Sequence, residues 1–272
     1  MGPRARRHPL QARGSQLSDV LYEAAGGIGR ITLNRPEKLN ALRVETFEGL
    51  IAALRAAGED AGIGVVTLTG AGRAFCAGGD IEMAQTVLTD EHAGRHHYFA
   101  RMIEVSTLML SLDKPVVCAV RGACVGGGAE LVCFADIVLA AESAFFCFNG
   151  TEIGGGNWWG GTQLLPLLVG LRRAQELMYL SRRLPAAEAA QSGFVTSVVP
   201  DSELDAAVDE TCRRLLELSA DGIRLTKAGL RATKELLLTS MSTTAELNVS
   251  AFSRPDLRNA FDAFLTARAE QP

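Results

Sequence analysis

Two glycine-rich stretches hold the residue types that could do chemistry: Phe75 to Ile81 (FCAGGDI) and Gly122 to Glu130 (GACVGGGAE). Each follows an apolar, strand-like run and precedes a helix-like one, so each can present main-chain N–H groups that no side chain screens. One N–H from each turn, both aimed at a single point, would stabilise the charge that develops on a carbonyl oxygen. Glu130 follows Gly128 by two residues and is expected on the first turn of the second helix. There a carboxylate either complements the helix dipole or, beside the apolar Leu131, Val132 and Cys133, acts as a general acid or base. On glycine content alone, Gly126-Gly127-Gly128 reads equally as a tight packing corner. It is not a P-loop, because the Gly-Lys-Ser/Thr ending is absent, and it lacks the GxGxxG spacing of a dinucleotide site.

The elements that must position these turns alternate along the chain. Val20 to Ala24 and Ile28 to Leu33 are β-rich runs around Gly26-Gly27, which predicts a hairpin. Asn34 to Lys38 reads as a loop, and Phe47, Leu50, Ile51 and Leu54 form a helical stripe across Val44 to Ala57. Val65 to Thr69 is a buried-strand candidate that leads into the first glycine turn. Helical segments follow Asp80 and cover Ala93 to Leu112, and Lys114-Pro115 ends the second. Val116 to Val120 delivers the chain into the second turn. Glu130 to Phe134 is expected to be helical, Ile137 to Ala141 and Phe145 to Phe148 to be strands. Asn149 to Gly161 is a glycine-rich loop holding Trp158 and Trp159, and the rest is mostly helix apart from a strand-like Val195 to Val199. The alternation argues for an α/β core with its turns at one edge of the sheets.

Composition narrows the function classes. At 272 residues the chain can bury a substantial core, and 27 Lys and Arg against 31 Asp and Glu give a net charge of −4. That balance provides no electrostatic footprint for nucleic acid or an anionic membrane. The most apolar region, Val116 to Ala141, is interrupted by Arg121, Glu130 and Asp136 and does not read as a membrane span. Six cysteines without a CxxC pair read as buried, reduced thiols, which points to a cytoplasmic setting. None of the four histidines has a carboxylate or cysteine at metal-site spacing, so no metal is expected. Residues 1–16 form a basic stretch, read as a disordered tail or an upstream start-site extension, with an organellar presequence as the alternative.

Five blocks, taken in order, resemble the enoyl-CoA hydratase/isomerase (crotonase) superfamily: ITLNRPEKLNAL (31–42), FCAGGDI (75–81), KPVVCAVRGACVGGGAELVCFADIVLA (114–140), GGTQLLPLLVG (160–170) and SRPDLRNAFDAFL (253–265). The resemblance runs from Leu17 to the C-terminus. It implies an α/β fold of crotonase type, a spiral of ββα units spanning 17–200, with a C-terminal helical oligomerisation region over 201–272 and assembly into trimers or hexamers. It implies an acyl-coenzyme A thioester as substrate and no separate cofactor. By position, the amides that hold the thioester oxygen are those of Gly79 and Gly127.

Hydratases of the family use two glutamates. One corresponds to Glu130, but the ungapped match puts Gly150 at the second position, and Glu152 is the nearest acid. The spacing from Ala144 to Arg173 also resembles the branch that opens the ring of oxocyclohexene-carboxyl-CoA. Family positions for coenzyme A map to Lys38, Leu39, Ala41, Ala77, Asp80 and Ile81, with Lys227 as a phosphate partner from an adjacent subunit. Trp158 and Trp159 are candidates for an acyl pocket or for interface packing. The favoured expectation is an enoyl-CoA hydratase in which Glu130, with Glu152 if its loop turns inward, adds water across the 2,3-double bond. Isomerisation or thioester or ring hydrolysis through the same enolate is the alternative, and a non-catalytic CoA- or RNA-binding relative stands outside the enzymes.

Overall fold

The computed structural model describes residues 18–89, 92–157, 159–231, 240–241, 243 and 254–269. The basic stretch 1–16 and Trp158 therefore lie outside the described residues.

The chain opens with a hairpin, β1 (Val20–Ala25) antiparallel to β2 (Ile28–Leu33), with Val20 opposite Leu33 and Ala25 opposite Ile28. Gly26 and Gly27 make the two-residue turn at φ 59° and 81°, the left-handed pair that such a tight hairpin requires. Helix α1 (Val44–Glu59) crosses to β3 (Val65–Gly70), which lies parallel to β2. Helices α2 (Ile81–Thr89) and α3 (His92–Ser111) lead to β4 (Val116–Val120), parallel to β3. Then come β5 (Ala123–Val125), α4 (Gly127–Val132), β6 (Ile137–Ala141) and β7 (Phe145–Cys147). The remaining elements are α5 (Gly161–Val169), α6 (Leu171–Tyr179), β8 (Leu184–Pro185), α7 (Ala186–Gln191), β9 (Ser197–Val199), α8 (Leu204–Glu217), α9 (described over 220–231) and α10 (Pro255–Ala269).

The strands form a six-stranded sheet in the order β1-β2-β3-β4-β6-β9, parallel except for the first pair, and a three-stranded sheet β5-β7-β8. β4 reads as an unbroken apolar run, and β3 as a run interrupted only by Thr67 and Thr69, because both of their faces are covered. Alternate residues go to different cores. Val66, Leu68, Val116, Cys118 and Val120 pack with Phe47, Leu50 and Leu54 of α1 and Val105 and Met109 of α3. Val65, Val117 and Ala119 pack with Leu204, Val208 and Cys212 of α8 on the other face. All six cysteines are free and buried. Among the described residues no helix is long and apolar enough to cross a membrane.

The structure departs from the sequence reading around the second glycine stretch. Ala123–Val125 is a strand rather than part of a turn, pairing with β7, and α4 begins at Gly127 rather than at Glu130. A three-residue strand set between glycines is too short to show a period of two.

Candidate active site

The two glycine stretches meet because the strands that feed them are adjacent and parallel, so β3 and β4 release the chain at the same sheet edge. The first stretch is tied down from both sides. Asn40, buried and itself at φ 58°, donates its side-chain N–H groups to the carbonyls of Ala71 (2.9 Å) and Ala74 (2.8 Å). The Ala77 N–H donates to the Leu39 carbonyl at 2.9 Å. On the other side, Cys76 bridges the second stretch: its N–H donates to the Ala123 carbonyl at 3.1 Å, and its carbonyl accepts from Val125 at 2.9 Å.

The two turns touch at their glycines. A Cβ added to Gly78 would lie 3.7 Å from the Gly126 Cα and 3.0 Å from the Val125 carbonyl oxygen. Gly78 has φ 97° and Gly126 has φ 52° with ψ −122°, backbone that an L side chain rarely adopts. Each of these glycines immediately precedes one of the two expected donors. Gly79 bridges Leu42: the Leu42 N–H donates to the Gly78 carbonyl (2.8 Å) and the Asp80 N–H to the Leu42 carbonyl (2.8 Å), which turns Gly79's own N–H away from Leu42. Gly127 is the first residue of α4, where no intrahelical acceptor exists for its N–H. Among the described residues neither N–H has a hydrogen-bond acceptor.

Both glycines line a cavity of about 150 Å³, together with Leu42, Phe47, Ala77, Ile81, Tyr98, Met102, Glu130, Asn149, Gly150, Ile153, Asn157, Trp159 and two phenylalanines of α10, Phe261 and Phe264. Glu130 is 5% exposed and is the one carboxylate among the described residues of that lining. Its Oε1 accepts the N–H of Trp159 at 2.8 Å and of Gly161 at 3.2 Å, so the loop ahead of α5 fixes the carboxylate's orientation. No room exists for a larger residue there: a Cβ on Gly161 would stand 2.8 Å from Glu130 Oε1. Two unengaged N–H groups, a fixed carboxylate and apolar walls can polarise a carbonyl and move a proton beside it.

The structure thus brings together Gly79, Gly127, Glu130, Ala77, Ile81 and Trp159. Trp159 is fully buried, donates its indole N–H to the Met102 carbonyl at 2.7 Å and stands edge-on to Phe47 at 5.4 Å, so it is a wall of the cavity and not an interface residue. Glu152 is not brought in. The turn that holds it sends Ile153 to the cavity and leaves Glu152 exposed, where its charge is felt by the Cys147 thiol.

Nor does the cavity lining include Lys38, Leu39, Ala41 or Asp80. Lys38 pairs with Glu82 at 3.3 Å on the surface, and the Ala41 carbonyl accepts from Arg35 at 2.7 Å. Asp80 starts α2, its Oδ1 accepting from Glu82 (3.0 Å) and Met83 (3.2 Å) while Arg35 sits 2.9 Å from Oδ2. Burial alone would raise its pKa, but the Met83 N–H and the Arg35 guanidinium outweigh burial and hold the carboxyl below its usual range. Lys227 donates to Asp136 at 2.5 Å and to the Lys114 carbonyl at 2.8 Å, in a separate surface hollow beside Pro115 and Leu218.

Sequence reasoning missed Tyr98, Asn149 and Asn157. The first falls within the helical segment Ala93 to Leu112 and the other two within the loop Asn149 to Gly161; nothing in their spacing says which face the cavity. Cys76 is inert: burial pushes its thiol up to about 12, only partly offset by the Gly78 N–H.

The sequence model of the family described as enoyl-CoA hydratase/isomerase matches residues 23–271. The chain is 33% identical, over 93% of its length and 96% of the relative's, to a Mycobacterium tuberculosis protein named "Probable enoyl-CoA hydratase echA8". The structure superposes on an enoyl-CoA hydratase/isomerase from Xanthobacter autotrophicus Py2 with a TM-score of 0.83 at 30% identity, covering 94% of this chain and all of that one. It also matches a monofunctional enoyl CoA isomerase from M. smegmatis, at a TM-score of 0.68 and 32% identity over 79% of this chain and 93% of that one.

Proposed function

Because the chain belongs to the enoyl-CoA hydratase/isomerase family, with its mixed α/β fold and helical C-terminal region, we propose that it binds an enoyl-CoA thioester and moves a proton along it, shifting the double bond. In this reading the N–H groups of Gly79 and Gly127 hold the thioester oxygen. Glu130 removes a proton from C2, the electron pair delocalises onto that oxygen as a dienolate, and the same carboxylate returns the proton at C4. Oε1 accepts the N–H groups of Trp159 and Gly161, which hold the carboxylate in place at the cavity wall.

The observation that carries the reading is the backbone packed onto Gly150. A Cβ there would lie 2.4 Å from both the carbonyl carbon and oxygen of Gly156 and 2.8 Å from the Asn157 nitrogen. The 150–157 loop therefore fills the space in which a second glutamate would begin, and the exposed Glu152 does not replace it. A shift between C2 and C4 needs one base reaching two carbons on one face of the substrate. Hydration needs a proton taken from water and another delivered to C2, for which a second acid is the natural partner.

Hydration is the second reading, supported by the relative named a probable hydratase. The two are separated by giving purified protein 3-hexenoyl-CoA and crotonyl-CoA in parallel. Conversion of the first to the conjugated 2-enoyl thioester without hydration of the second is the expected result. Rapid hydration of crotonyl-CoA with no double-bond migration would overturn the proposal in favour of hydration.

A further inference from the structure

One polar group in the cavity is not used by the chemistry above. Tyr98, on α3, has its ring edge-on to Phe47 (centroids 5.4 Å apart, 76°) and to Phe99 (5.5 Å, 88°), which fixes the direction of the phenol. The phenolic oxygen lies 3.5 Å from the place a Cβ on Gly79 would occupy, so it stands over the residue whose free N–H borders the cavity. A tyrosine in an apolar setting normally finds a partner for its O–H. Here no hydrogen bond from that group to any described residue exists, and the oxygen is not sealed in the core.

We propose that Tyr98 is a further catalytic residue, a third hydrogen-bond donor to the thioester oxygen beside the N–H groups of Gly79 and Gly127. The proposal rests on the reading of this cavity as an acyl-CoA site and extends it. The phenol acts by hydrogen bonding, not by giving up its proton. Burial, reinforced by Cys76, Asp80 and Glu130, pushes its pKa well above the usual tyrosine value, so it is a neutral donor near neutral pH. As charge builds on the oxygen in the enolate, a fixed O–H strengthens its bond to the transition state more than to the ground state.

The test is Tyr98→Phe in the full chain, which keeps the ring contacts with Phe47 and Phe99. Two readouts are needed: the rate with 3-hexenoyl-CoA, and the infrared carbonyl stretch of bound butanoyl-CoA carrying a 13C label at the thioester carbon. Butanoyl-CoA has no double bond to move or hydrate, so the label reports polarisation alone. The expected result is kcat lower by about tenfold or more, KM changed by less than the rate, and part of the wild-type carbonyl red shift lost. A red shift that survives Tyr98→Phe unchanged refutes the third donor while leaving the two amides in place. A wild-type protein that leaves the bound carbonyl at its solution frequency refutes the amide site itself, and the role of Tyr98 with it.

Discussion

Glu130→Gln separates the loop-anchoring contacts of this carboxylate from the role of base proposed for it. Its Oε1 accepts two main-chain N–H groups, from Trp159 and Gly161, and a glutamine carbonyl can accept both. Those bonds change from charge-assisted to neutral, a loss of about 1 kcal/mol each. Against this, a 5% exposed charge no longer has to be desolvated, an effect of opposite sign and comparable or larger size. The net change in stability is then about 2 kcal/mol at most, roughly 4 to 8 °C in Tm for a chain of this length. The chemical step loses its base entirely, which costs on the order of 10² to 10⁴ in rate, or about 3 to 5 kcal/mol. The assay is incorporation of solvent deuterium at C2 and C4 of 3-hexenoyl-CoA, followed by NMR, beside a thermal melt of each variant. The expected outcome is a folded protein whose exchange is slowed at least a hundredfold. Exchange at the wild-type rate would refute Glu130 as the base, and a variant that does not fold would show that the charge serves chiefly to anchor the loop between Asn149 and Gly161.

Gly126→Ala forces a side chain into φ 52°, ψ −122° with its Cβ 2.9 Å from Asn149 Oδ1. It should turn the Gly127 N–H and lower kcat by about a hundredfold, which steady-state kinetics will show. Gly150→Ala drives a Cβ into the Gly156 carbonyl and should destabilise the fold by about 1 to 3 kcal/mol; an unchanged urea midpoint would mean the 150–157 loop moves aside easily. Asp80→Asn tests the helix-start network. Asp80 has a folded pKa below its unfolded value, so its stabilisation is complete above the unfolded value of about 3.9 and disappears as pH falls through the folded one. The wild-type advantage over Asp80→Asn should be constant near neutrality and shrink in acid; a gap unchanged down to pH 2 would count against the ion pair with Arg35.

Much of the fold is legible in the chain because local preference and tertiary demand agree. The hairpin at Gly26-Gly27, the stripe of α1 and the apolar runs of β3 and β4 appear where sequence patterning puts them, with ends shifted by one or two residues. The misses are elements whose existence depends on a partner. β5 is three residues and β8 two, and each is a strand only because β7 lies beside it. Likewise, Glu152 and Ile153 are adjacent in a turn, and which of them faces inward depends on the path by which the 150–157 loop returns to Gly150. That path is fixed by long-range contacts such as the Gly154 Cα lying close under Ala260 of α10.

The two parts of the candidate site also differ in how far resemblance can carry. The N–H groups of Gly79 and Gly127 belong to the main chain, so their placement needs only the parallel pair β3 and β4 and positive φ at Gly78 and Gly126. In the proposed reaction the fate of the enolate depends on side chains that reach C2, C3 or C4, and a single position can change it. Gly150 is such a position: glycine there permits the Gly156 backbone to close over it, and Glu130 is the one carboxylate among the described residues of the cavity lining. Family membership follows from nearly the whole chain, while the proposed reaction has to be argued from the 150–157 loop.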